Sequence, residues 1–289
     1  MKTMNLRALG GALLATWLLG ACATPPAPQA RPTQAIATPS TGGLPRAADA
    51  GRLVPLQGAL NVRSFDGLRG SNGPIPASSF IRAADLNRLT AADRDLLAAR
   101  GVVLDLDLRT AEEASGSSDP LAADDRFRYV RISLLGTEKL DLANMPDDLG
   151  TMYVQSLAAN QTQFRQVFET LAAQQDGTVL FHCTAGKDRT GMIAAMLLSL
   201  AGVPRSEIVH NYTISAHYLE PMMRQNPQAA EMVRQNPKVA ALMGTPAESI
   251  EAFLDALDGR HGGARAYLRT IGVSDGDVRR LLVRMGQAR

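Results

Sequence analysis

Cysteine is almost missing: the chain has 289 residues and two cysteines, Cys22 and Cys183. A disulfide-stapled fold is thereby excluded. Four histidines and so few thiols show no zinc-ligand spacing, so no metal is expected and no cofactor is implied. Aromatic residues make up only 4%, which argues against a base-stacking platform or an aromatic sugar site. A formal net charge of +2 is too small to make nucleic acid the partner. The most apolar early stretch, Ala8 to Leu19, is too short to span a bilayer comfortably. What remains is an ordinary globular balance of 45% apolar and 20% charged residues, enough for a real core.

The beginning of the chain is special. Lys2 and Arg7 precede the apolar stretch, which ends in Leu19-Gly20-Ala21-Cys22. This pattern resembles the lipobox of bacterial lipoproteins, whose signal is cut before a cysteine that then carries lipid. The resemblance implies a signal peptide over 1–21 and lipidation at Cys22; the alternative is an ordinary signal peptide cut near a cysteine. Ala23 is not the aspartate that retains lipoproteins in the inner membrane. The chain is therefore expected at the outer membrane facing the periplasm, or else at the surface or secreted. Residues 22–50 are rich in Pro, Ala and Thr, cannot offset their ordering entropy, and read as a disordered tether. A catalytic domain is expected over 51–289. If Cys22 carries lipid, Cys183 is a lone thiol in an oxidising compartment, a liability unless its chemistry is used.

Within that domain short apolar runs alternate with helical patterns. "SSFIRA" (78–83), "GVVLDLDL" (101–108), "FRYVRISLL" (127–135) and "TVLFH" (178–182) read as strands. "TAADRDLLAARG" (90–101) and one long stretch over 149–174 read as helices. The pattern predicts an α/β fold: a mainly parallel central sheet with helices on both faces and a helical C-terminal part. "MIAAMLLSLAG" (192–202) is apolar all round, as a buried helix is. Thr245-Pro246-Ala247-Glu248 reads as a capping box with proline at the first helical position, and Ser274 with Asp277 opens a last helix. The tetrapeptide "RQNP" occurs at 224–227 and 234–237; its prolines predict two short broken helices, an insertion over the site.

The chemistry concentrates in "HCTAGKDRTG" (182–191), between a strand and the buried helix. A strand-to-helix turn aims backbone N–H groups and the positive end of a helix dipole at its contents, which suits a phosphate. Cys183 opens the turn and Arg189 closes it. The amides of Thr184, Ala185, Gly186, Lys187, Asp188 and Arg189 form the candidate phosphate cup, and the same donors would stabilise a thiolate nucleophile. Arg189 has a planar fork for two phosphate oxygens. Thr190 can donate its hydroxyl to the sulfur, and Gly186 lets the backbone approach the anion. His182 fits a structural hydrogen bond to the turn better than a catalytic role. A Cys–His protease is disfavoured, because neighbours on a strand point to opposite faces.

This turn resembles the Cys-x5-Arg signature of the protein tyrosine phosphatase superfamily, in the HCxxGKDRTG form of secreted bacterial tyrosine and phosphoinositide phosphatases. "NVRSFDG" (61–67), "IRAADL" (81–86), "LDLRTAEE" (106–113) and "LAGVPRSEIVHNY" (200–212) look like further landmarks of that family in its order. Ser64 departs from its usual aspartate. The resemblance implies a phosphatase-like fold and a phosphocysteine intermediate. It implies phosphotyrosine proteins as substrate, with phosphoserine, phosphothreonine or phosphoinositides as extensions, and no metal. Lys187 would serve a substrate with more than one phosphate. The general acid is left open between Asp188 in the turn, Asp147 and Asp148 at 36 and 35 residues before the cysteine, and Asp107 at a strand end. Asp188 is the preferred donor, since the motif fixes its place. Asp107 is equally readable as a partner of Arg109, and Asp147 and Asp148 as a solvated loop. Two other classes compete: a catalytically weak phospho-ligand binding module, and a rhodanese-like sulfurtransferase, which lacks the Arg-Thr helix start.

Overall fold

The computed structural model describes residues 43–134 and 146–288. The expected signal peptide and Cys22 lie outside the described residues, as does most of the expected tether. Strands are β1 (Arg63–Ser64), β2 (Arg69–Gly70), β3 (Gly73–Pro74), β4 (Phe80–Ala83), β5 (Val102–Asp107), β6 (Arg128–Arg131) and β7 (Thr178–His182). Helices are α1 (Ala47–Ala50), α2 (Ala91–Ala99), α3 (Ala111–Gly116), α4 (Leu149–Ala159), α5 (Gln161–Ala173), α6 (Asp188–Leu200) and α7 (Arg205–Thr213). They continue with α8 (Ser215–Gln225), α9 (Pro227–Gln235), α10 (Pro237–Met243), α11 (Ala247–His261), α12 (Ala264–Thr270) and α13 (Asp275–Arg284). Among the described residues no helix is long and apolar enough to cross a membrane.

The main sheet has the order β1-β4-β7-β5-β6, parallel except for β1 at its edge. The expected α/β architecture is present, and β7 is its middle strand. Being covered on both faces, β7 is buried throughout, and its apolar side chains alternate between two cores. Val179 and Phe181 join the larger core with α4 to α6 and α11 to α13. Leu180 joins the smaller one with Ile81, Val102, Leu121 and Leu97 of α2. Phe65, Phe80 and Phe181 meet by tilted and edge-on ring contacts at 5.9–6.2 Å below the turn.

Several boundaries differ from expectation. The long helix over 149–174 is two, parted at Asn160, whose φ of −116° and ψ of 31° leave the helical region. The second is strongly one-sided, burying Phe164, Val167, Phe168 and Leu171. Thr245 does not cap α11; its hydroxyl donates to Thr213 O at 2.9 Å, and Pro246 is the residue before the helix. Ser274 does cap α13, accepting from Asp277 N at 3.1 Å. The ordered fold begins earlier than residue 51. Asp49 of α1 is buried and meets His210 of α7 at 2.7 Å. Burial would raise that carboxyl, but His210, Arg46 and Arg52 bring it down to about 2.

Candidate active site

The turn after β7 leads straight into α6, so Cys183 sits at the C-terminal edge of the sheet and Asp188 in the first turn of a helix. Open α/β sheets place ligands there. Cys183 is buried, 1% exposed, and shares the larger core. Gly186 has φ of 63° and presses on the end of β4: a Cβ there would lie 2.3 Å from Ala83 O. Only glycine lets the loop close so tightly. The loop is fastened by Asp85 N to Thr184 O at 3.0 Å.

Arg189 lies close enough to the Cys183 sulfur to interact with it electrostatically. Its fork is held by Glu113 of α3, with Nη1 donating to Oε2 at 2.6 Å and Nη2 to Oε1 at 2.7 Å. Thr184 Oγ1 donates to the same carboxylate at 2.6 Å. Burial would raise Glu113, but the bonds from Arg189 and Thr184 hold it down to about 2. Glu113 reaches this place because Thr110 and Glu113 cap α3 reciprocally, at 2.8 and 3.2 Å. Arg189 Nη1 also donates to Leu108 O, and Nη2 to Thr184 Oγ1 at 3.3 Å. This leaves Nε free among the described contacts, and a phosphate oxygen need only displace the long Thr184 bond to complete a bidentate clasp.

A family model for the tyrosine phosphatase family matches residues 54–286, most of the chain and all of the sheet. The chain belongs to the tyrosine phosphatase family. It is 50% identical over 290 residues to a tyrosine-protein phosphatase of Nostoc commune, covering 94% of this chain and 96% of that one. It is 32% identical over 133 residues to the triple specificity protein phosphatase PtpB of Mycobacterium tuberculosis, covering 42% and 48% of the two. A crystal structure of P. aeruginosa TpbA aligns at 15% identity and a TM-score of 0.28, over 57% of this chain and 89% of that one.

The aspartates of this phosphatase take separate stations. Asp188 opens α6 at the end of the loop, its Oδ1 accepting from Lys187 Nζ at 2.7 Å and Tyr153 OH at 2.5 Å. Asp107 is wholly buried and is spent on Arg109, which binds both its oxygens at 2.8–3.1 Å, while Tyr129 OH adds a bond at 2.8 Å. Burial opposes its charge, but Arg109 keeps it below the usual range. That arrangement makes Asp107 a holder of Arg109 instead of a proton donor. Asp148 is the N-cap of α4, accepting from Thr151 N at 2.7 Å and Thr151 Oγ1 at 2.8 Å. Asp147 is exposed and pairs with Lys238 at 2.9 Å.

Three further expectations change. Thr190 Oγ1 is buried and has no hydrogen-bond partner among the described residues, so its bond to the sulfur is not made. Lys187 is 3% exposed, with Nζ donating to Asp188 and to Leu242 O of α10 at 2.8 Å; it is turned onto the "RQNP" helices and away from solvent. His182 does not bond the turn. It faces the other side of the sheet, 3.2 Å from Asp119, 3.4 Å from Asp105 and 3.8 Å from Asp107, without hydrogen-bond alignment. Burial opposes its charging, yet Asp105 first and then Asp119 and Asp107 raise it to about 9. Burial, with Asp119 and Asp107 adding to it, pushes Asp105 up. The ligand atoms of Asp105, Asp119 and His182 lie within 4.8 Å of one another, close enough for a cation; a retained proton also balances this group.

Sequence reasoning missed the floor of the loop. Asn61, Arg63 and Arg82 are 0–3% exposed beneath it. Two quoted landmarks contain them, but the only local signal is arginine inside an otherwise apolar strand. The hydroxyl of Ser64, the departure from the family pattern, makes two long contacts among the described residues, donating to Arg52 O and accepting from Asp66 N, both at 3.4 Å.

Proposed function

We propose that this protein hydrolyses phosphomonoesters of phosphotyrosine proteins through a phosphocysteine intermediate. The observation that carries the reading is the pairing, in one buried loop, of Cys183 with an Arg189 fork fixed by Glu113. Cys183 Sγ attacks phosphorus and the ester oxygen leaves; water then attacks the phosphocysteine and releases phosphate, restoring the thiolate. Arg189 and the loop amides hold the equatorial oxygens throughout. Asp188 gives the departing oxygen its proton and takes one from the water. A cysteine and an arginine that are both present and mutually placed favour an enzyme over a phospho-ligand binding module. PtpB is described as a triple specificity phosphatase, which supports testing phosphoserine and phosphothreonine as well.

Phosphoinositides are the second reading. It rests on Lys187, which must leave both Asp188 and Leu242 to meet a second phosphate. The cavity beside Thr184, about 490 Å³, carries Asp85, Glu112 and Glu113 against a single cation, Arg109, a poor lining for a polyphosphate. Tyrosine-phosphorylated peptides are therefore the better substrate. We further propose that Cys22 carries the lipid anchor; incorporation of labelled fatty acid that a Cys22→Ala variant loses is the expected result, and equal labelling of both excludes it. The deciding assay is a panel of phosphopeptides and inositol phospholipids with Cys183→Ser as control. Turnover of phosphotyrosine peptides by the wild type alone supports the reading; phosphate release by Cys183→Ser at the same rate overturns it.

A further inference from the structure

The floor of the loop holds two arginines that the mechanism above leaves unused. Arg82 of β4 is wholly buried; Nη2 donates to Gly186 O at 2.7 Å and Nη1 to Asn211 Oδ1 at 2.6 Å. Arg63 of β1 is also buried and donates to Asn211 O at 2.8 Å, Ser215 Oγ at 2.9 Å and Asn61 Oδ1 at 2.8 Å. Asn61, at φ of 57°, passes the contact on: its Nδ2 donates to Ala185 O at 3.1 Å and to Gly186 O at 3.0 Å. Neither arginine has a carboxylate within ion-pair distance among the described residues. A buried cation is ordinarily paired.

Two consequences follow from the covalent geometry and from the charge. In a planar trans peptide the C=O and the following N–H point in opposite directions. Drawing Ala185 O and Gly186 O down onto Asn61 and Arg82 turns the N–H groups of Gly186 and Lys187 up, toward the cup. The unpaired positive charge beneath the loop then favours an anion above it. Burial lowers Arg82 only to about 10, opposed first by the Cys183 sulfur, so it stays charged at neutral pH. The other charged or titratable groups around it are Arg63 from β1, Tyr153 from α4, Tyr212 from α7 and Asp188 from α6. Burial, then Asp188, raises both tyrosines, so they stay neutral.

We propose that Arg82, seconded by Asn61 and Arg63, is a positioning residue of this phosphatase: it orients the loop amides and supplies the buried countercharge for the Cys183 thiolate and the substrate phosphate. The proposal rests on the phosphatase reading. Its test has two independent readouts, turnover of an aryl phosphate and the ultraviolet thiolate absorbance of Cys183 against pH. Arg82→Gln is expected to lower turnover on the order of 100-fold, as loss of one preorganised donor does, and to move the thiolate titration to higher pH. Arg82→Lys keeps the charge but not the fork; it should leave the thiolate titration near wild type while inhibition by inorganic phosphate weakens at least about tenfold. Should Arg82→Gln fail to fold, Arg82→Lys decides by itself. Wild-type turnover and phosphate inhibition in Arg82→Lys, or an unmoved thiolate titration in a folded Arg82→Gln, overturns the proposal. A wild type with no phosphatase activity sinks the function, while the thiolate titrations still judge Arg82.

Discussion

Residues 182 and 183 are neighbours in the chain, yet the strand sends them into opposite electrostatic worlds. On the Cys183 side, Arg63, Arg82 and Arg189 gather around the loop, and among the described residues only Arg189 of these has a carboxylate in contact. On the His182 side, three carboxylates crowd a single imidazole, and only Asp107 has an arginine of its own. One side has a surplus of cation and calls for an anion. The other has a surplus of carboxylate and retains a proton. A single sheet thus separates the Cys183 loop from a buried carboxylate cluster of the opposite charge balance.

The comparison is broken most severely at Arg189. Arg189→Lys keeps the charge but cannot clasp two oxygens, and turnover of an aryl phosphate should fall on the order of 10³-fold with the fold intact. Glu113→Gln leaves the arginine charge but loosens its aim, and a loss of roughly 10- to 100-fold in turnover is expected, with a smaller change in KM. Asp188→Asn should slow phenyl phosphate far more than an activated aryl phosphate; equal losses on both would move the acid elsewhere.

The carboxylate side is tested by pH and stability. Because the folded-state pKa of His182 is raised, from 6.5 to about 9, its stabilising contribution is complete below pH about 6.5. That contribution is lost as pH rises toward about 9. Melting temperature should therefore decline over that window, and less so in His182→Gln. Glu113 acts at the other end. Its folded pKa is depressed to about 2, so its contribution is present above pH about 4.5 and lost as pH falls toward 2. The smallest effect is at Asp148: Asp148→Ala removes the α4 cap, costing about 1 kcal/mol in denaturant unfolding and leaving turnover unchanged.

The same contrast explains what the sequence made legible. Strands β4, β5 and β7 were readable as short, mostly apolar runs between helical stretches, β6 from the longer run "FRYVRISLL", and the turn because its residue types are so improbable together. Glu113 stands in the sequence only as the last residue of "LDLRTAEE"; the capping box that begins at Thr110, and with it the reach to Arg189, shows in the fold. The floor was not: Arg63 and Arg82 look like ordinary strand residues until the pairing of Arg63 with Arg82 across β1 and β4 brings them side by side. The His182 cluster draws Asp105 from β5 and Asp119 from a loop, so no spacing along the chain announces it. The break at Asn160 carries neither glycine nor proline; there α4 packs on α11 and α5 on α13, and Asn160 Nδ2 donates to Ser156 Oγ at 2.8 Å.

The central claim is that the arginines gathered on the Cys183 side of the sheet favour an anion in the loop. The direct measurement is the thiolate absorbance of wild type minus Cys183→Ser, followed from pH 5 to pH 10, at roughly one-unit steps about the free cysteine midpoint of about 8.5. A difference already at its plateau at neutral pH is the predicted result. A rise centred near the free-cysteine value would contradict the account, because the arginines would then leave the thiol as it is in water.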